Sequence, residues 1–164
     1  MALSIFGTLS LRNILARAKE NDNHWLIMRD ILYLGSQSPA RQQLLRYAEI
    51  PFQFIPHRSD ENLAEAPQHF ADHVQLIAHE KMRSLLLPTR DEVGKDYLFA
   101  LTADSLIKNP RTSEILAKPI DKNDAIRMLS AEGEGCIEVA TGVCLEKFAW
   151  HNDSWVKDSY RHWT

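Results

Sequence analysis

Ile31-Leu32-Tyr33-Leu34-Gly35-Ser36-Gln37-Ser38-Pro39-Ala40-Arg41 is where the sequence first becomes orderly. A short apolar run ending at Gly35 reads as a buried strand. Ser36 to Pro39 is a tight loop, and Ala40 to Ala48 reads as a helix. Ser38 stands at the N-cap and Pro39 in the first helical position, where its missing N–H does no harm. Strand, tight loop and helix in this order open an α/β domain.

The downstream sequence continues the alternation. Phe52 to Ile55 is a second strand, begun after Pro51, and Ser59-Asp60-Glu61 lies in a polar loop. A long helix is expected from about Pro67 to Leu87, stopped by Pro88, with Thr89 to Asp96 as a charged surface loop. Tyr97 to Ala103 is nearly all apolar, the pattern of a central strand covered on both faces. It ends at Asp104, with Ser105-Leu106-Ile107 as a continuation. Asn109 to Thr112 is a turn and Glu114 to Ala117 a return strand. Asp121 caps a helix running to about Ala131, with Asp124 as a weak capping-box partner. Ile137, Val139, Thr141, Val143 and Leu145 alternate as in a half-buried strand. His151-Asn152-Asp153 turns the chain, and Trp155 to Trp163 returns. The fold class is α/β with a mixed sheet flanked by helices.

Upstream, Leu9 to Lys19 reads as a short amphipathic helix, and Met28 lies near the natural start of the domain. The expected organisation is an N-terminal extension over 1–27, helical or disordered, and one domain over 28–164.

The bulk numbers narrow the function classes. The chain has 164 residues, 45% hydrophobic and 25% charged, with a formal net charge of −3. One domain with a real core fits this length. There is no basic footprint for nucleic acid, and no run long and apolar enough to span a bilayer. Cys136 and Cys144 fall on one strand, eight residues apart, too distant to bridge each other. They read as small buried fillers in a reducing compartment, which predicts a cytoplasmic protein. His69 and His73 are four apart on the long helix and either share a metal or form a polar surface.

Three positions stand out chemically. A helix N-terminus after Ser36 and Ser38 offers free N–H groups to a phosphate, and Arg41 in the first turn adds a fork of donors. The bland alternative is a capped helix with a solvated arginine. Lys81 interrupts the apolar stripe Phe70, Val74, Ile77, Ala78, Leu85. A lysine there snorkels, pairs with an acid or faces a cleft. Asp104, at the end of an apolar strand, suits a metal ligand, a general base or a turn residue. Glu61 and Lys118 add an acid and a base in loops. Together these groups suit cleavage of a phosphoanhydride. Walker, dinucleotide, Gly-x-Ser-x-Gly and His-Glu-x-x-His patterns are absent.

The order of segments resembles the Maf family of nucleoside triphosphate pyrophosphatases. The resemblance rests on Ser36-x-Ser38-Pro39-x-Arg41, Asp60-Glu61, Ala78-x-x-Lys81, Ala103-Asp104-Ser105, Lys118-Pro119, Ala125-x-x-x-Leu129 and Thr141-Gly142-Val143. It implies a Maf/ITPase-like mixed sheet flanked by helices, in which family members continue past Thr164 with further strands. It implies hydrolysis of a nucleoside triphosphate, standard or non-standard, to monophosphate and pyrophosphate with Mg²⁺ or Mn²⁺. By resemblance Asp104 accepts the proton from water, and Glu61 supports metal and water together with Asp104. Lys81 and Lys118 stabilise the phosphates, and Ser36, Ser38 and Arg41 cradle them. Two alternatives stay open: an inactive nucleotide-binding remnant, and a chain whose Trp155 to Trp163 edge pairs two copies into a homodimer.

Overall fold

The computed structural model describes residues 30–59, 69–109, 111–116, 119–132 and 137–164. The expected extension over 1–27, Glu61 and Lys118 lie outside the described residues.

The elements are β1 (Leu32–Leu34), α1 (Pro39–Tyr47), β2 (Phe52–Phe54), α2 (Phe70–Arg83), α3 (Arg90–Val93), β3 (Tyr97–Lys108), β4 (Ile115–Leu116), α4 (Lys122–Glu132), β5 (Glu138–His151) and β6 (Ser154–Trp163). They form a mixed sheet of order β2-β1-β3-β5-β6, with β4 also paired to β3. β1 runs parallel to β2 and β3, and the remaining pairings are antiparallel. The β5–β6 turn places Asn152 and Asp153 at φ of 46° and 60°, the left-handed geometry that a tight hairpin requires.

Two features of β3 position the site. One edge is paired with β5 along its whole length, Tyr97 to Lys108. The other edge meets β1 at Phe99 to Leu101 and β4 at Ile107 and Lys108. Between them, residues 102–106 have no strand beside them on that edge among the described residues. The second feature is α2, which packs across β3 and β5. Thr102, fully buried, donates its hydroxyl to Ala78 O at 2.7 Å, so even-numbered residues of β3 face α2. The core under this helix includes Tyr33, Ile55, Ala78, Met82, Leu98, Ala100 and Cys144. Full burial of a side chain such as Met82 or Leu98 contributes about 2 kcal/mol.

The continuation expected over Ser105-Leu106-Ile107 is present: β3 runs through Asp104 to Lys108, because β5 pairs with it throughout. Other expectations need correction. β3 is not covered equally on both faces: Leu98, Ala100 and Thr102 are buried under α2, whereas Tyr97, Phe99 and Leu101 are only half-buried. α2 stops at Arg83, short of Leu87. There the chain leaves to bond the segment after β2, with Arg58 N–H donating to Ser84 O and Leu86 N–H donating to Pro56 O. The Ser84 hydroxyl also turns back onto Glu80 O, at 2.8 Å. The loop expected over 89–96 contains the single-turn α3. A Thr89/Glu92 capping box starts it and Gly94, at φ 67°, ends it.

Candidate active site

Lys81 is where the apolar stripe of α2 meets the stretch of β3 between its pairings with β1 and β4. Phe70, Val74, Ile77 and Ala78 are buried, and the same face carries Lys81 inward to 4% exposure. Its ammonium lies 2.7 Å from Asp104 Oδ1. A charge taken this far from water needs a partner, since breaking such a pair leaves an uncompensated ion. Of the three outcomes open to Lys81, the structure shows the pairing with an acid.

A second group lies at the end of β1. Gly35 N–H donates to Leu101 O, carrying the chain past the last parallel pairing. The approach is close: an added Cβ would sit 2.4 Å from the Leu85 side chain and 2.8 Å from that of Thr102, so side chains there would have to shift. Ser36 follows, buried at 4% exposure. Its hydroxyl accepts from Arg41 Nη1 at 2.9 Å and from the Ser38 N–H at 3.4 Å. Arg41 Nη2 donates to Ser105 Oγ at 3.0 Å, and Ser105 Oγ shares a 2.8 Å hydrogen bond with Thr141 Oγ1 on β5. Ser38 holds the N-cap position of α1, but its side chain makes no capping bond. A helix N-terminus of this kind, with a serine hydroxyl beside it, is where an anion is favourably placed.

The two groups straddle β3. Asp104 and Ser105 are consecutive, so they point to opposite faces. Lys81 and Asp104 are on the α2 side. Ser105, Thr141 and the Arg41 fork are on the other. Both flank the unpaired stretch beyond the end of β1, which is where parallel α/β sheets place ligand-handling groups. A hollow of about 120 Å³ lined by Asp30, Tyr33, Lys95 and Tyr97 lies at the opposite end of β1 and β3, away from these residues.

The structure thus pairs Lys81 with Asp104 on one face of β3 and joins Ser36 to Ser38 and Arg41 on the other. Ser105 and Thr141 join them without having been expected as site residues. Strand alternation carries part of the signal, since it sends Ser105 away from Asp104 and towards the α1 side. The sequence model of the family described as Maf-like protein matches residues 31–161.

The chain belongs to the Maf family.

Among curated relatives, the Maf chain is 36% identical over 118 residues to the dTTP/UTP pyrophosphatase of Ruminiclostridium cellulolyticum, an alignment covering 72% of this chain and 56% of that protein. It is 37% identical over 120 residues to the dTTP/UTP pyrophosphatase of Anaeromyxobacter dehalogenans, covering 72% of this chain and 54% of the relative. A third, from Acholeplasma laidlawii, is 34% identical over 115 residues, covering 70% and 56%. The chain spans a little over half the length of the curated relatives it matches.

The Maf sheet carries a further polar group on the α2 side. Cys144 is fully buried but is no simple apolar filler. Its sulfur lies 3.5 Å from His79 Nδ1 and 3.7 Å from Glu146 Oε1. Burial first, then the Glu146 charge, push the thiol pKa up to about 12. Burial, then the neighbouring His162, lower the pKa of His79. Lys157 donates to Glu146 Oε1 at 2.5 Å. His69 and His73 are not part of this group. Cys136 lies outside the described residues.

Among the described residues no helix is long and apolar enough to cross a membrane.

Proposed function

We propose that this chain hydrolyses a pyrimidine nucleoside triphosphate of the dTTP or UTP kind to the monophosphate and pyrophosphate. The observation that carries the reading is the buried Lys81–Asp104 pair beside the Ser36–Arg41–Ser105–Thr141 network at the open stretch of β3. The names of the curated relatives supply the substrate class.

In this reading the Arg41 fork, the Ser36 and Ser38 hydroxyls and the first-turn N–H groups of α1 hold the phosphates. The phosphates would then take over some of the contacts now made by Ser36 and Ser105. Lys81 orients Asp104 and presents positive charge to the developing negative charge on the phosphate oxygens. Asp104 accepts a proton as water forms a bond to the α-phosphorus. The bond from that phosphorus to the bridging oxygen breaks, and pyrophosphate leaves. Glu61 and Lys118 are proposed partners on the loops flanking this region.

A divalent cation fits the donor set. A carboxylate and hydroxyls are hard oxygen donors, and Mg²⁺ or Mn²⁺ is typically held by one or two carboxylates with substrate phosphates and water. Asp104 with Glu61 would hold it, and when bound it would neutralise phosphate charge. A cytoplasmic place of action accords with the free, buried thiol of Cys144.

The test is a panel of nucleoside triphosphates assayed for pyrophosphate with Mg²⁺ and with Mn²⁺. Release from dTTP and UTP in preference to purine triphosphates is expected. Release confined to purine triphosphates would refute the substrate class. Binding of dTTP without any release would favour a nucleotide-binding protein over an enzyme.

A further inference from the structure

Cys144, His79 and Glu146 come from two elements, β5 and α2, and converge on one point. Their ligand atoms all lie within 4.8 Å of one another. Cys144 pairs in register with Thr102, whereas Gly142 pairs with Asp104. The group is therefore offset along β5 from the Lys81–Asp104 pair and is separate from it. His162 stands opposite Cys144 on β6, and its ring meets that of His79 edge-on with centroids 5.4 Å apart.

We propose that His79, Cys144 and Glu146 form a binding site for a borderline-soft divalent cation of the zinc class.

The spacing supports this. A tetrahedral ion about 2.3 Å from sulfur and about 2.0 Å from nitrogen holds those two atoms about 3.5 Å apart. The sulfur is 3.5 Å from His79 Nδ1 and 3.7 Å from the Glu146 oxygen, close to the separations that an ion shared with the sulfur requires. The donor chemistry differs from that at Asp104: thiolate with imidazole selects zinc-class ions over Mg²⁺ or Mn²⁺. The charges facing the site also fit. Glu146 is 5% exposed, and its carboxylate is compensated by the Lys157 ammonium, which also lies 4.3 Å from the Tyr160 ring. Lys157 is half-exposed and can swing to solvent as a cation takes its place on Glu146. The burial that holds the thiol protonated is offset when the metal replaces the proton. A bound ion would tie α2 to β5 without entering the reaction.

The experiment titrates the full chain with Co²⁺ alone and records the thiolate-to-cobalt charge-transfer band. The band should appear with an end point at one equivalent. It should persist in Cys136→Ser and vanish in Cys144→Ser. His79→Gln alters a half-buried ring and serves as a second variant, should loss of the Cys144 sulfur impair folding. It should weaken Co²⁺ binding about tenfold or more, the scale on which ligand-shell changes act. Lys157→Ala should tighten it. Zn²⁺ should raise the Tm of the parent chain and not that of His79→Gln. No band at stoichiometric Co²⁺ would overturn the proposal, as would a band that survives in Cys144→Ser or affinity unchanged in His79→Gln.

Discussion

Asp104→Asn is expected to lower pyrophosphate release by roughly 10²–10⁴-fold, the range in which a positioned general base contributes. The substitution keeps the shape of the side chain and keeps an oxygen acceptor for the Lys81 ammonium, now 2.7 Å from Oδ1. What it removes is the capacity to take a proton and one negative charge. Lys81, 4% exposed, is then buried beside a neutral amide. Breaking a fully buried pair costs about 3–5 kcal/mol. Asp104 keeps 13% of its side chain exposed and the hydrogen bond survives, so about 2 kcal/mol of lost stability is the expectation here. Turnover and stability must therefore be read together. The account requires a protein that is folded at the assay temperature, still binds triphosphate through Arg41 and Ser36, and releases almost no pyrophosphate. Unchanged turnover would remove Asp104 from the chemistry.

Gly142→Ala should be the most damaging single methyl that the described sheet could receive next to the site. An added Cβ would lie 2.5 Å from Val74 O, 2.6 Å from Val74 C and 2.7 Å from Gln75 Cα. All three are backbone atoms of α2, so no side-chain rotation relieves the clash. The helix must move off the sheet. It is held close there by Gln75, whose amide donates to Val143 O at 3.2 Å, and by the Thr102 hydroxyl on Ala78 O. Overpacking of this kind costs about 3 kcal/mol, enough to lower Tm by roughly 10 °C in a chain of this size. Because Gly142 sits beside Asp104 in register, retreat of α2 also draws Lys81 away from the carboxylate. Thermal unfolding and turnover should therefore fall together. A variant with unchanged Tm would show that α2 does not press on β5 as closely as described.

The glycine illustrates what the sequence could and could not reveal. Thr141-Gly142 is visible as a motif, but nothing in its spacing says that a helix backbone lies against it. The opening strand, loop and helix were legible because an apolar run, a glycine and a Ser-x-Ser-Pro loop are local signals. Lys81 was legible because it breaks a helical stripe, and an odd residue in a regular pattern needs a partner. Its partner Asp104 could be named as a candidate, but the 2.7 Å pairing depends on how α2 crosses β3. The network joining Arg41 to Ser105 and Thr141 was hidden for the same reason: it spans α1, β3 and β5, and only the register brings them together. The end of α2 was misplaced because Ser84 to Leu86 form bonds with the segment after β2, and tertiary pairing overrode the stop signal at Pro88. The Cys144 group was invisible because its histidine lies 65 residues away on another element.

The central claim is that one triphosphate contacts both sides of β3. A crystal structure of the chain with an α,β-methylene analogue of dTTP tests it most directly. The account predicts phosphate oxygens within hydrogen-bond distance of both Arg41 and Lys81, with the α-phosphorus nearest Asp104. An analogue lodged in the hollow between Asp30 and Tyr97, or one touching Arg41 while the Lys81–Asp104 pair faces away from it, would contradict the account.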